Sequence, residues 1–280
     1  MGATGAIGRG AVAELRARGA AFAAATRDPG RAREALGRGP ELVPLDADDP
    51  RSLADAFEGI DALLLVPPET GGDRKRLLAR AVAGAASRAG VRRIATVSGL
   101  SAMRDEGSIS RRLERDVEAL GMVWTHLRPS FFMQNYHTVY RESIRRGAIP
   151  FFTGAGRTSL VDARDVGAAA AAVLLEPGHE GSAPVLTGTG ALDHAEIAAI
   201  LSRATGREIR YTARSHEDTR TALRAAGLAE AAVEASLARF REVEAGAFAA
   251  VSPALGRILG RAPGSFERYA REHAGYWSRS

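Results

Sequence analysis

The stretch MGATGAIGRG, residues 1–10, decides how the chain is read. Gly2, Gly5 and Gly8 recur every third residue at the mouth of a segment whose apolar positions Ile7, Ala11, Val12 and Leu15 keep helical spacing, and Gly19 stops it. Glycines at such a place let the backbone approach a ligand closely. A helix start adds free N–H groups and a partial positive charge, so the turn Gly2, Thr4, Gly5, Ala6, Ile7 and Gly8 suits an anion such as a dinucleotide pyrophosphate. A plain tight turn entering a helix would use the same residue types.

Working outward, the apolar periodicity predicts a buried strand over Ala20–Ala25, a helix over Pro29–Leu36, a strand over Leu42–Leu45 and a helix over Pro50–Phe57. A strand over Asp61–Pro68, a helix over Asp73–Ala89, a strand ending at Ser98, a helix over Ile109–Leu120 and a strand MVWTHLRP closed by Pro129 follow. Strands and helices alternating at this spacing predict an α/β class fold, a doubly wound parallel Rossmann sheet covered on both faces. After Pro129 the pattern predicts a helix over Phe131–Arg146, short strands in IPFFTG and TSLVD, and a helix from Asp165 to Leu175. Asp193 with Glu196 three residues on reads as a capping box with Gly206 as the stop, Glu217–Phe248 as mostly helical, and Ser265 as the cap of a last helix ending near His273. The expected organisation is a dinucleotide-binding lobe over residues 1–150 and a smaller, mostly helical substrate lobe over 151–280, with 159–187 returning to the first lobe.

Composition narrows the function classes. With 280 residues and 45% hydrophobic content the chain buries a full core. It has no cysteine, which excludes disulfides, thiolate metal sites and cysteine nucleophiles. No apolar run approaches the roughly 20 residues that cross a bilayer and no basic-then-apolar leader opens the chain, so a cytoplasmic location is expected. The six histidines show no ligand spacing, so no metal is expected. The net charge of +5 comes from arginines interspersed with acids, as in RAREALGRG and RDEGSISRRLERD, a pattern of solvated helix faces rather than a nucleic-acid stripe.

Arg27 stands just past the second predicted strand, where an acid would hold the ribose 2′-hydroxyl of NAD and a guanidinium suits a 2′-phosphate. With Asp28 beside it, the reading favours NADP(H) over NAD(H). Asp46, at the end of the next strand, fits either the adenine side of a pocket or simple helix capping together with Asp48.

In order, GATGAIGR, ATRDP, LDADDPRSL, AGVRRIATVSGLSA, WTHLRPSFFMQNY, VDARDVG and LTGTGALDHAEIAAILSRATGREIRY resemble the NmrA-like group of atypical short-chain dehydrogenase/reductases, through to the final FERYAREHAGYW. That group includes quinone, azo-dye and triphenylmethane-dye reductases and non-catalytic sensors of the nicotinamide redox state. The resemblance implies that the glycine turn holds pyrophosphate, that Arg27 meets the 2′-phosphate and Asp46 the adenine, and that Val66, Pro67, Ser98 and Pro129 lie along the cofactor. It implies that Phe132, Asn135 and Tyr136 face the substrate; for Phe132 and its neighbour Met133, helix packing is an equal reading.

The chain departs from this group in two ways. Relatives carry a Val/Ile/Leu strand ahead of the glycine turn, whereas here Met1 stands where their threonine does. A sheet without that central strand is therefore expected, as is a natural protein with about six more residues of strand character. Secondly, Lys75 is the only lysine, so no Tyr-x-x-x-Lys catalytic pair exists; where relatives place His or Lys four residues before a glutamate, Ser110 precedes Glu114. Tyr136, Tyr140, His126, His137 and water remain as unranked proton sources. Asp162 and Asp165 read as N-caps, with Arg164 pairing to one of them or approaching the cofactor. The expected function is hydride delivery from NAD(P)H to a conjugated acceptor of quinone, azo or ene type; the alternative is an NADP(H) sensor acting through a protein partner.

Overall fold

The computed structural model describes residues 2–278 apart from 69, 71 and 152. Met1 and Phe152, which the sequence reading placed at the glycine turn and in a short strand, lie outside the described residues. In chain order the elements are α1 (Ala6–Ala17), β1 (Ala23–Thr26), α2 (Pro29–Leu36), β2 (Glu41–Pro44), α3 (Pro50–Asp55), β3 (Ala62–Leu65), α4 (Gly72–Arg88) and β4 (Arg93–Val97). Next come α5 (Ser101–Arg104), α6 (Ile109–Glu118), β5 (Val123–Pro129), β6 (Phe131–Phe132), a 3-10 turn (Met133–Tyr136), α7 (Arg141–Arg145), β7 (Ala148–Phe151) and β8 (Thr158–Val161). The remainder is α8 (Ala163–Leu175), β9 (Val185–Leu186), β10 (Ala191–Leu192), α9 (His194–Thr205), β11 (Arg210–Ala213), α10 (His216–Ala225), α11 (Glu230–Glu244), α12 (Ala254–Leu259), α13 (Phe266–Glu272) and a second 3-10 turn (Ala274–Tyr276).

The chain divides into two compact units, the first made of the residues up to Pro129, Ala163–Leu186 and Pro253–Ala262. Its strands are all parallel, in a pair β1-β2 and a sheet β3-β4-β5-β9. The two groups of strands are hydrogen-bonded separately, and no described strand joins the β1-β2 pair to the β3-β4-β5-β9 sheet. Ligands of parallel α/β sheets sit outside the carboxyl ends of the strands. Gly2 packs against Val66, the residue that follows β3, so the glycine turn stands at the carboxyl end of β3.

Local chemistry sets the helix ends. Asp28 accepts the Arg31 N–H at 3.0 Å with Pro29 opening α2, and Asp49 accepts the Arg51 N–H at 2.9 Å with Pro50 opening α3. One face of the sheet carries a core of Leu63, Leu65, Ile94, Val82, Ala86 and Leu113, in which the alanines of α4 admit close approach to the strands. On α8 nearly every residue from Ala163 to Val173 is buried, and α1 packs against it through glycines: a Cβ on Gly10 would come within 2.5 Å of the Arg164 carbonyl oxygen.

The second unit comprises Ser130–Asp162, Thr187–Ser252 and the residues from Pro263 onward. It holds a three-stranded sheet β6-β8-β10 and a parallel pair β7-β11 around a core that includes Met133, Leu160, Ile197, Leu201, Tyr269 and Trp277. α9 begins with the full capping box, Asp193 accepting from the Glu196 N–H at 2.8 Å and Glu196 from the Asp193 N–H at 3.0 Å, and ends at left-handed Gly206. The single helix expected over Phe131–Arg146 is not formed. Phe131 and Phe132 pair with Leu160 and Val161 of β8, a 3-10 turn follows, and only Arg141–Arg145 is α-helical. Pairing with a strand some 30 residues on outweighs local helical spacing here.

Candidate cofactor and acceptor site

The glycine turn is shaped by contacts that forbid side chains. A Cβ on Gly8 would lie 2.1 Å from the Gly2 carbonyl oxygen and 2.5 Å from Ala3 Cα, so the turn folds directly onto the first coil of α1. Gly2 has φ +81°, which favours glycine, and its carbonyl accepts the Gly5 N–H at 3.1 Å. Gly5 is the extended N-cap of α1 and brings no side chain to the first-turn amides. Those amides at Ala6, Ile7 and Gly8 are thus left for a ligand, and the Thr4 carbonyl is tied back by Arg9 Nη1 at 2.9 Å. A cradle that admits no Cβ at Gly2 or Gly8, opening on uncapped amides, fits a pyrophosphate.

Arg27 follows β1 directly, is exposed, and forms no ion pair among the described residues. Its acidic neighbour Asp28 is engaged as the cap of α2. Asp46 is exposed and its Oδ1 accepts the Asp48 N–H at 3.0 Å, while Asp48 itself pairs with Arg74 at 2.8 Å; the helix cap is Asp49, not Asp48. Val66 and Pro67 follow β3, Ser98 follows β4, and Pro129 ends β5, so the structure brings these four to the carboxyl ends of three adjacent parallel strands.

Behind Ser98 lies a buried ionic network. Ser98 Oγ donates to Glu114 Oε1 at 2.6 Å; Glu114 is fully buried and is gripped by Arg128, Nε at 2.9 Å and Nη2 at 2.7 Å, with Arg111 Nη1 at 3.3 Å. Burial alone would raise the Glu114 carboxyl, yet the hydrogen bonds from Arg128 and Ser98 outweigh it and hold the group below the ordinary carboxylate range. An ionised, saturated carboxylate donates no proton. Ser110, four residues before Glu114, accepts from Ser101 Oγ at 3.1 Å. The sequence reading missed Arg128; its signal was a charge on the same strand face as His126 in an otherwise apolar β5.

His126 stands in register with Thr96 inside the sheet, fully buried and stacked on Trp124 at 4.5 Å, and burial pushes its imidazole down to about 4. Its complete burial leaves it neutral at pH 7 and without a surface to offer an acceptor. Asp162 immediately precedes α8, at its N-cap position, and accepts from Gln134 Nε2 at 2.8 Å, while Asp165 lies within the first turn of the helix and pairs with Arg261 Nη2 at 2.7 Å.

In the second unit, Phe132, Asn135 and Tyr136 line one narrow cavity with Tyr140 and His194. His194 Nδ1 is 2.8 Å from Thr153 Oγ1, and burial lowers the ring to about 4. Tyr136 packs edge-on against Tyr140 and Phe266, and burial pushes its phenol well above 10. The Tyr140 phenol is raised for the same reason. Met133 is core. His137 stacks with Tyr276 and His273 and meets the Tyr269 hydroxyl. Among the described residues there is no cluster of metal-ligating side chains, and no helix is long and apolar enough to cross a membrane.

An NAD(P)H-binding family matches residues 2–177, the span that contains the glycine turn, Arg27 and the strands β1 to β5. The chain belongs to that family. An NAD(P)H azoreductase of Xenophilus azovorans is 35% identical over 279 residues, covering 98% of this chain and 96% of that protein. A (4-alkanoyl-5-oxo-2,5-dihydrofuran-3-yl)methyl phosphate reductase of Streptomyces griseus is 34% identical over 285 residues, with 98% and 96% covered. The crystal structure of an NADPH-dependent quinone oxidoreductase of Escherichia coli complexed with NADPH superposes with a TM-score of 0.85 at 26% identity, covering 97% of each chain. The family assignment agrees with the NmrA-like, atypical short-chain dehydrogenase/reductase character read from the motifs.

Proposed function

We propose that this chain is an NADPH-dependent reductase that delivers hydride to a conjugated small-molecule acceptor of quinone, azo or ene type. The observation that carries the reading is the uncapped glycine turn of α1, together with an exposed Arg27 after β1 that forms no ion pair among the described residues. The named activities of the azoreductase, the furanone phosphate reductase and the quinone oxidoreductase support the acceptor class. The first-turn amides Ala6, Ile7 and Gly8 hold the pyrophosphate, Arg27 pairs with the 2′-phosphate, Asp46 meets the adenine side, and Val66, Pro67, Ser98 and Pro129 line the nicotinamide end. Phe132, Asn135 and Tyr136 face the acceptor. Bound NADPH supplies the hydride. The buried Tyr136 and Tyr140 keep their protons at neutral pH and donate hydrogen bonds without becoming phenolates. An acceptor that spreads the incoming charge over a conjugated system is reduced by positioning and takes its proton from water.

The test is NADPH consumption by the purified chain with a quinone, an azo dye and a cyclic enone in turn. Consumption with at least one is expected; tight binding with no consumption by any would point instead to a regulatory NADP(H) sensor. Arg27→Ala is expected to raise KM for NADPH about ten- to a hundredfold, the loss of a charge-assisted phosphate contact, and to leave KM for NADH unchanged.

A further inference from the structure

Ser98 is half-buried at the carboxyl end of β4, and its hydroxyl has two protein partners, both acceptors: Glu114 Oε1 at 2.6 Å and the Leu127 carbonyl oxygen at 3.3 Å. Its one proton goes to the shorter, charged contact. Glu114 cannot release that role, because Arg128 grips it side-on and the carboxylate is sealed from water. No protein donor reaches Ser98 Oγ among the described residues, so the oxygen keeps its lone pairs for a ligand and has no proton to offer one.

We propose that Glu114 and Arg128 are positioning residues that lock Ser98 as a hydrogen-bond acceptor, and that Ser98 Oγ takes a hydrogen bond from the carboxamide NH2 of the bound nicotinamide. The inference rests on the dinucleotide reading above. It follows that Ser98 gives no hydrogen bond to a carbonyl oxygen, so the chain does not polarise a ketone through this residue. An acceptor that needs no such help is the kind the site can serve. Loss of the lock changes polarity, not merely affinity. With Glu114→Gln, the side-chain amide can donate to Ser98 Oγ and turn the serine proton outward.

The experiment is equilibrium titration, without turnover, of NADP+ and of its 3-acetylpyridine analogue, in which a methyl ketone replaces the carboxamide and no N–H remains. The native chain is expected to bind NADP+ about five- to tenfold tighter than the analogue, one hydrogen bond's worth. Ser98→Ala is expected to bring the ratio to near one, and Ser98→Thr, which keeps the hydroxyl, to restore it. Glu114→Gln is expected to shift the ratio toward the ketone analogue; because Ser98→Ala removes only a half-exposed hydroxyl, it decides the matter even where the Glu114 variant folds poorly. An unchanged ratio in Ser98→Ala, with both ligands bound, overturns the lock and leaves the dinucleotide reading standing. Binding of neither ligand to the native chain overturns both.

Discussion

Gly167→Ala is expected to be severely destabilising, by about 3 kcal/mol or more, and to weaken dinucleotide binding at least tenfold. A Cβ at this position of α8 would lie 2.1 Å from the Ile7 carbonyl oxygen, 2.5 Å from the Ala11 amide nitrogen and 2.9 Å from the Gly10 carbonyl carbon. All three are backbone atoms of α1, so no side chain can swing aside. The two helices must separate, and the turn from Gly2 to Gly8, which is folded onto the start of α1, moves with them. The control is Gly84→Ala in α4, where the nearest atom to the new Cβ is the flexible Arg88 guanidinium at 3.4 Å. There the same exchange is expected to stabilise by about 0.5–1 kcal/mol, since alanine loses less backbone freedom in a helix. Thermal unfolding of both variants, with a dinucleotide titration, checks the pair; equal melting temperatures would show that the α1 to α8 contact does not set the position of the turn.

Arg128→Met is expected to cost about 3–5 kcal/mol, because it leaves the fully buried Glu114 carboxylate with only the Ser98 hydroxyl and the longer Arg111 contact. The pH dependence carries the signature. In the native chain the Glu114 carboxyl sits below its ordinary value, so its contribution is present above the unfolded pKa of about 4.3 and is lost as the pH falls through the lower folded value. In Arg128→Met burial outweighs the remaining Ser98 and Arg111 contacts and the folded pKa rises above the unfolded one. Stability then increases on acidification through that raised value, the opposite slope. Adding Glu114→Gln removes the stranded charge and is expected to recover most of the loss. Urea unfolding of the three variants across pH 4 to 8 measures both effects, and a slope in Arg128→Met that matches the native chain would contradict them.

The parts of the fold written in local chemistry were legible in the sequence. α2 begins and ends where Asp28, Pro29 and Gly37 place it, and the Asp193 and Glu196 capping box opens α9 as its spacing requires. The alternation of strands and helices up to Pro129 gave the parallel sheet for the same reason, since each apolar run is read within its own window. Contacts between distant segments were not legible. Phe131 and Phe132 form a strand only because Leu160 and Val161 stand beside them, and Asp165 has its partner 96 residues away in Arg261. The candidate site divides in the same way. The glycine turn and Arg27 announce themselves by type and spacing, whereas the Ser98, Glu114 and Arg128 network joins a strand end, a helix and a neighbouring strand, and no spacing rule links them. His126, one of several equal proton sources on sequence grounds, is set aside by burial, because its ring is fully enclosed and stacked on Trp124.

The central claim is that the mouth of α1 and the exposed Arg27 after β1 together bind a dinucleotide carrying a 2′-phosphate. Calorimetric titration of the native chain with NADPH and, separately, with NADH tests it most directly. The account predicts binding of both, with NADPH tighter by about tenfold or more. Equal affinity for the two would contradict the role given to Arg27, and binding of neither would contradict the role given to the turn.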